Sequence, residues 1–168
     1  DMTIGNSNSV TMNTAWTVGG AGSGSIIIIG ARDGAIFLNG GTTSSTPAVL
    51  NGATVTVEGD INVGTTNYGL INAPIVFSAD AGGAEVLVNG TLELNNTATY
   101  QGGSHTGSGR LIWDNDVIIA GNTTIDVAEL DLDGFVPLNT LQVDSGVTLT
   151  VNSLITDASS GTINVQGI

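Results

Sequence analysis

Cysteine is absent from this 168-residue chain, and histidine occurs once. Thiol catalysis and disulfide staples are therefore excluded, as is a histidine-rich zinc site within one chain. Positive charge is nearly missing too. Two Lys+Arg stand against fifteen Asp+Glu, a formal net charge of -13. Phosphate backbones need basic side chains, so nucleic acid is a poor partner, and an anionic membrane surface repels such a chain. Aromatic residues make up only 4% and there are 3 prolines. The core must then come from small and β-branched side chains, which suits thin, closely stacked layers. No stretch combines a 3.6-residue apolar period with a helix cap. The most apolar run, "SIIIIG" at 25–30, is far too short to span a bilayer, so no membrane insertion is expected. The opening residues show no basic leader region.

What the chain does have is glycine, 25 residues of it, and 40% apolar residues in short alternating runs. "TVTV" (54–57), "EVLV" (85–88), "TLEL" (91–94), "RLIW" (110–113), "TTIDV" (123–127), "ELDL" (129–132) and "TLQV" (140–143) are of this kind. Period-two alternation at four or five residues is the pattern of a half-buried strand. Asn39-Gly40, Asn51-Gly52, Asn89-Gly90 and Asp133-Gly134 punctuate the runs. Two all-β architectures compete: hairpins closing a sandwich or jelly roll, and stacked rungs forming a β-solenoid. Internal similarity favours the second. "VLNGATVTVEGDINV" (49–63) resembles "VLVNGTLELNNTATY" (86–100) and "VDSGVTLTVNSLI" (143–155). Gly52 and Gly90 lie 38 positions apart, and Gly52 and Gly146 lie 94 apart, both near multiples of 19. A turn of about 19 residues gives about nine turns and a rod on the order of 40 Å long. The expectation is one right-handed parallel β-helix domain over 1–168, with a Gly/Ser loop at about 101–109. Val86, Val88, Leu92 and Leu94 point inward; Glu85, Thr91 and Glu93 point outward. Asn89-Gly90 and Asn95-Asn96 turn corners, where stacked Asn side chains bond from rung to rung.

The stretches "GTLELNNTATYQGG" and "GVTLTVNSLI" resemble the repeats of autotransporter adhesin passenger regions and of β-helical phage tail and fibre proteins. That resemblance covers about 49–165 and is one of repeat texture. It implies an extracellular, structural or adhesive protein of a virion or bacterial surface, with homo-oligomers, often trimers, among its phage members. The alternatives are a polysaccharide-binding or polysaccharide-degrading β-helix and a capsid decoration protein.

Few residues offer chemistry. His105 sits in "QGGSHTGSGR" (101–110), read as an exposed loop open to a partner. Trp16 and Trp113 are core or interface plugs or, if exposed beside Tyr100, platforms for stacking a sugar. Asp114 with Asp116, and Glu129 with Asp131 and Asp133, are spaced at i and i+2. In a strand that spacing puts carboxylates on one face, where a glycan-active enzyme would need a pair. Scarce aromatics and cations weigh against catalysis, so no enzyme is expected. Asp131 and Asp133 in "DLDG" are the candidate calcium ligands, with no other cofactor. Ile26, Ile27, Ile28 and Ile29 do not alternate, so both sides of that strand need cover, from a packed loop or from an oligomer contact. Arg32 and Arg110 each pair with a local acid or anchor a bridge between subunits. Asn89-Gly90-Thr91, Asn95-Asn96-Thr97 and Asn122-Thr123-Thr124 fit the N-glycosylation pattern.

Overall fold

The computed structural model describes residues 2–4, 9–12, 16–17, 25–28, 35–52, 54–78, 85–132, 140–156 and 164–167. Among them there is no helix, and all twenty strands pair in parallel. The chain winds as rungs of three short strands. The first rung is β1 (Met2–Ile4), β2 (Ser9–Met12) and β3 (Trp16–Thr17). The second is β4 (Ser25–Ile28), β5 (Ala35–Leu38) and β6 (Ala48–Asn51), and the third is β7 (Thr54–Val57), β8 (Asp60–Val63) and β9 (Tyr68–Asn72). Next come β10 (Ile75–Phe77), β11 (Glu85–Val88) and β12 (Thr91–Leu94). In the fifth and sixth rungs the last two strands fuse, so β13 (Ala98–Tyr100) precedes β14 (Gly103–Trp113), and β15 (Val117–Ile119) precedes β16 (Thr123–Asp131). The seventh holds β17 (Thr140–Val143), β18 (Leu149–Val151) and β19 (Leu154–Thr156), followed by β20 (Asn164–Gly167).

Each strand stacks on the corresponding strand of the rung before it. The first face runs β1-β4-β7-β10-β13-β15-β17-β20. The second runs β2-β5-β8-β11 into the front half of β14, and the third runs β3-β6-β9-β12 into its back half. This is a parallel β-helix. The sandwich alternative fails because the described Asn-Gly steps carry the chain on to the next face of the coil, within a rung at Asn39-Gly40 and Asn89-Gly90 and between rungs at Asn51-Gly52, instead of folding strands back as hairpins.

Inward positions make apolar columns along the axis. Val55, Ile75, Ala98, Val117 and Leu141 stack on the first face, with Val57, Phe77, Tyr100 and Ile119 beside them. Ile36, Ile61, Val86, His105 and Ile125 stack on the second; Leu92, Leu111 and Leu130 stack on the third. All are buried. Each buried aliphatic side chain contributes about 1.5–3 kcal/mol, so this axial ladder of columns is the main stabilising element. Val86, Val88, Leu92 and Leu94 are in the core as the alternation predicts, while Glu85 is exposed.

Corners are held by amides. The Asn67 side chain donates to Asn39 Oδ1 at 2.9 Å, and Asn72 donates to Asn51 Oδ1 at 3.1 Å, each from one rung to the next. Asn96 and Asn115 instead accept from the following backbone N–H, at 2.9 and 2.8 Å, at one corner of successive rungs.

Register departs from the uniform expectation. Ala98 stacks under Val117, 19 positions on, but Ile26 stacks under Val55, 29 positions on. Unequal corner segments cause this, and among the described residues the first face stacks eight strands where a constant 19-residue turn gives about nine. The similar stretches also lie on different faces. Residues 54–57 belong to the first face and 91–94 to the third. What repeats is a strand-corner-strand unit, which any corner of the coil accepts.

Candidate functional site

Residues 101–109 are not a loop. Only 101–102 bend; β14 then runs unbroken from Gly103 to Trp113 and pairs with β11, β12 and β16. Its corner is carried by Gly107 at φ 131, where a Cβ would run into the Val88 carbonyl. Only glycine turns there without strain or collision. Ser104 and Thr106 face outward and His105 inward, only 1% exposed. The expected exposed histidine is thus a core residue. Its ring meets Phe77 edge-on at 4.6 Å and Tyr100 at 5.0 Å, and its Nδ1 is buried without a hydrogen-bond partner. Burial among apolar neighbours pushes its pKa down to about 3.

Tyr100 and Trp113 are buried as well, which removes them as platforms for a surface sugar. Trp113 Nε1 donates to Tyr100 Oη at 2.8 Å, and Tyr100 stacks on Phe77 at 4.7 Å. Burial raises the Tyr100 phenol well above its ordinary range. These four rings form one aromatic plug across rungs four and five.

The carboxylate pairs come apart or are already engaged. A corner separates Asp114 from Asp116: Asp114 faces the third side, while Asp116 Oδ1 accepts the Thr140 N–H at 2.7 Å on the first. Glu129 and Asp131 do share a face, and both meet Arg110. Arg110 Nε lies 3.3 Å from Glu129 Oε1, and its Nη2 contacts Asp131 Oδ2. These are ion pairs by proximity, without aligned hydrogen bonds. Asp131 is 1% exposed, so its charge is balanced within the fold and turned away from solvent. Asp133 lies outside the described residues. No group of three or more His, Cys, Asp or Glu is placed to hold a metal ion among the described residues. Arg110 therefore takes the local-acid alternative. Ile26, Ile27 and Ile28 lie in β4, hydrogen-bonded between β1 and β7, whereas Ile29 and Arg32 lie outside the described residues.

Among the described residues, a concentration of polar groups on the surface is centred on Arg110. A cavity of about 380 Å³ on the third face is lined by Ser44, Tyr68, Glu93, Arg110, Ile112 and Asp114. A neighbouring cavity of about 430 Å³, over the corner between the second and third faces, is lined chiefly by Thr, Ser, Asn and Gly, with Arg110 and Glu129. Strand stacking places most of the first cavity's side chains, and Ser44 and Asp114 join them from connecting segments. Tyr68, Thr91, Arg110 and Glu129 occupy one outward column, and Glu93, Ile112 and Asp131 the next. The Tyr68 hydroxyl donates to Glu93 Oε2. Burial first, then that bond and the Glu93 charge, raises the Tyr68 pKa far above its normal value. Thr156 donates to Glu129 Oε1 at 2.7 Å, closing the cluster at the seventh rung. Arg110, Asp114 and Glu129 were legible as polar candidates. Tyr68 and Glu93 were missed, because nothing local in sequence announces that they meet across 25 positions.

The fold and these outer cavities define a parallel β-solenoid with a polar trough along one side. No protein-family model matches the chain, and neither curated proteins nor solved structures yield a match.

Proposed function

We propose that the chain is a structural or adhesive solenoid of an extracellular surface, on a virion or a bacterial cell. It holds a rigid rod and makes attachment contacts through its outer faces. The carrying observation is how the reactive residue types are used. His105, Tyr100 and Trp113 plug the core, and Asp131 is tied to Arg110 behind the surface. What the described rungs present outward is hydroxyl, amide and carboxylate groups at strand spacing, interspersed with exposed Phe37, Leu87, Leu154 and Ile155, a surface suited to recognition. Fold alone does not assign function, so the reading rests on this distribution of side chains.

Two measurements test it. Beads coated with the protein should adhere to bacterial or polysaccharide-coated surfaces more than beads coated with an unrelated acidic protein of equal charge. Light scattering should give a defined oligomer, unchanged by a calcium chelator. A monomer whose beads adhere to nothing would overturn the proposal.

A further inference from the structure

Among the described residues, two large apolar side chains stand exposed together on the second face: Phe37 at 37% and Leu87 at 41%. Register brings them into line. Phe37 pairs with Asn62 and Asn62 with Leu87, so the three form one outward column on β5, β8 and β11. Two rungs separate Phe37 from Leu87, about 10 Å along the axis. The neighbouring outward column holds Asp60 and Glu85, paired directly across β8 and β11. A cavity of about 430 Å³ joins the two columns, lined chiefly by Asp60, Asn62, Glu85, Leu87, Ser104 and Thr106.

Neither feature serves the coil. The second-face core is already filled by Ile36, Ile61 and Val86, and Phe37 and Leu87 point away from it. Like charges opposite one another on adjacent strands oppose folding. The described arginine, Arg110, is held on the third face by Glu129 and Asp131. A partner that brings apolar cover and positive charge together relieves both costs at once.

That pairing of needs selects the occupant. A second copy brings a net charge of -13 and only two cations. An anionic polymer is repelled by Asp60 and Glu85, and a purely basic one leaves Phe37 and Leu87 in water. A helix lying along the rod axis meets both demands. Its apolar residues at i and i+7 stand about 10 Å apart, the Phe37–Leu87 interval, and Lys or Arg beside that stripe reach the carboxylate column.

We propose that the patch formed by Phe37, Leu87, Asp60 and Glu85 is a docking surface for a basic amphipathic helix of another protein. The proposal rests on the attachment reading above and gives that attachment a contact surface and a partner class.

The test is peptide binding by the whole chain, followed by fluorescence anisotropy. A leucine–lysine amphipathic helical peptide is the probe; its leucine–glutamate counterpart and poly-lysine are the comparisons. The leucine–lysine peptide should bind most tightly. Phe37→Ser, Leu87→Ser and Glu85→Gln lie at exposed outward positions, so the core stays intact, and each should weaken that binding at least fivefold. Leu154→Ser and Asp144→Asn remove an apolar group and a charge from the seventh rung and should leave it within twofold. Raising salt from 50 mM to 500 mM should weaken binding, with the Leu87→Ser defect persisting. No binding of the leucine–lysine peptide, equal losses in the seventh-rung variants, or poly-lysine or the leucine–glutamate peptide binding as tightly would overturn it. Beads that adhere to a surface equally well when coated with Phe37→Ser or Leu87→Ser would sink this proposal and leave the attachment reading standing. Beads that adhere nowhere, from a monomeric chain, would sink both.

Discussion

Replacing His105 by leucine should make the protein more resistant to acid than the parent. The imidazole occupies a column otherwise made of Ile36, Ile61, Val86 and Ile125, with Nδ1 unpaired. In the unfolded chain it titrates near 6.5, and in the fold burial pushes it down to about 3. Above pH 6.5 both states are neutral at this residue and stability is indifferent to pH. Below it the unfolded state takes up a proton that the folded state refuses. Stability then falls by about 1.4 kcal/mol per pH unit until the folded imidazole itself protonates near pH 3. Between pH 6.5 and pH 4 the loss is about 3 kcal/mol, a large part of the 5–15 kcal/mol typical of a domain. Carboxylates titrate in the same window, so the informative quantity is the difference between parent and variant. At pH 7.5, His105→Leu sheds an unpaired buried nitrogen, a gain of about 1–3 kcal/mol, and loses an edge-on ring contact worth about 1 kcal/mol. The variant should therefore match or exceed the parent there, and its advantage should widen by about 3 kcal/mol at pH 4. Urea unfolding at both pH values, followed by the fluorescence of buried Trp113, gives the two differences. An advantage that stays constant within about 1 kcal/mol would refute the reasoning, because it would mean that the folded imidazole takes up its proton as readily as the unfolded one.

Asp131→Asn should destabilise by about 2 kcal/mol in urea unfolding, because it strips the buried partner from Arg110, while Glu129→Gln, in a half-exposed pair, should cost under about 1 kcal/mol. Gly107→Ala should cost more than about 2 kcal/mol, since φ is 131 and the methyl would strike the Val88 carbonyl. Gly146→Ala meets open space at φ 77 and should cost about 1 kcal/mol, the backbone strain alone. Tyr68 and Tyr100 are the chain's only tyrosines, and both are raised above the usual phenol value. Folded protein should then show no tyrosinate absorbance at 295 nm at pH 10.5, and stability should fall as alkalinity ionises the unfolded chain first. A normal titration curve near pH 10 in the folded protein would contradict that placement.

Much of this architecture was legible from the alternation of residues 85–94 and from the Asn-Gly corners. A side chain's direction in a strand depends only on parity, so Val86, Val88, Leu92 and Leu94 could be assigned to the core from sequence. Scarce aromatics and short β-branched runs pointed to thin stacked layers for the same local reason. Even His105 carried a signal: it lies 19 positions after Val86, the turn length read elsewhere, and it stacks on Val86. Its Gly/Ser surroundings read as a loop because glycine marks both flexible segments and tight corners.

Register lay beyond local reasoning. Whether Gly52 and Gly90 share a column depends on the length of every corner between them, and those lengths vary along the rod. Only the folded chain therefore decided that Asp114 and Asp116 part at a corner, that Asp131 closes on Arg110, and that Tyr68 reaches Glu93. Composition and parity determined that this chain would stack; the uneven pitch of the coil, set by long-range pairing, decided which side chains meet on its surface.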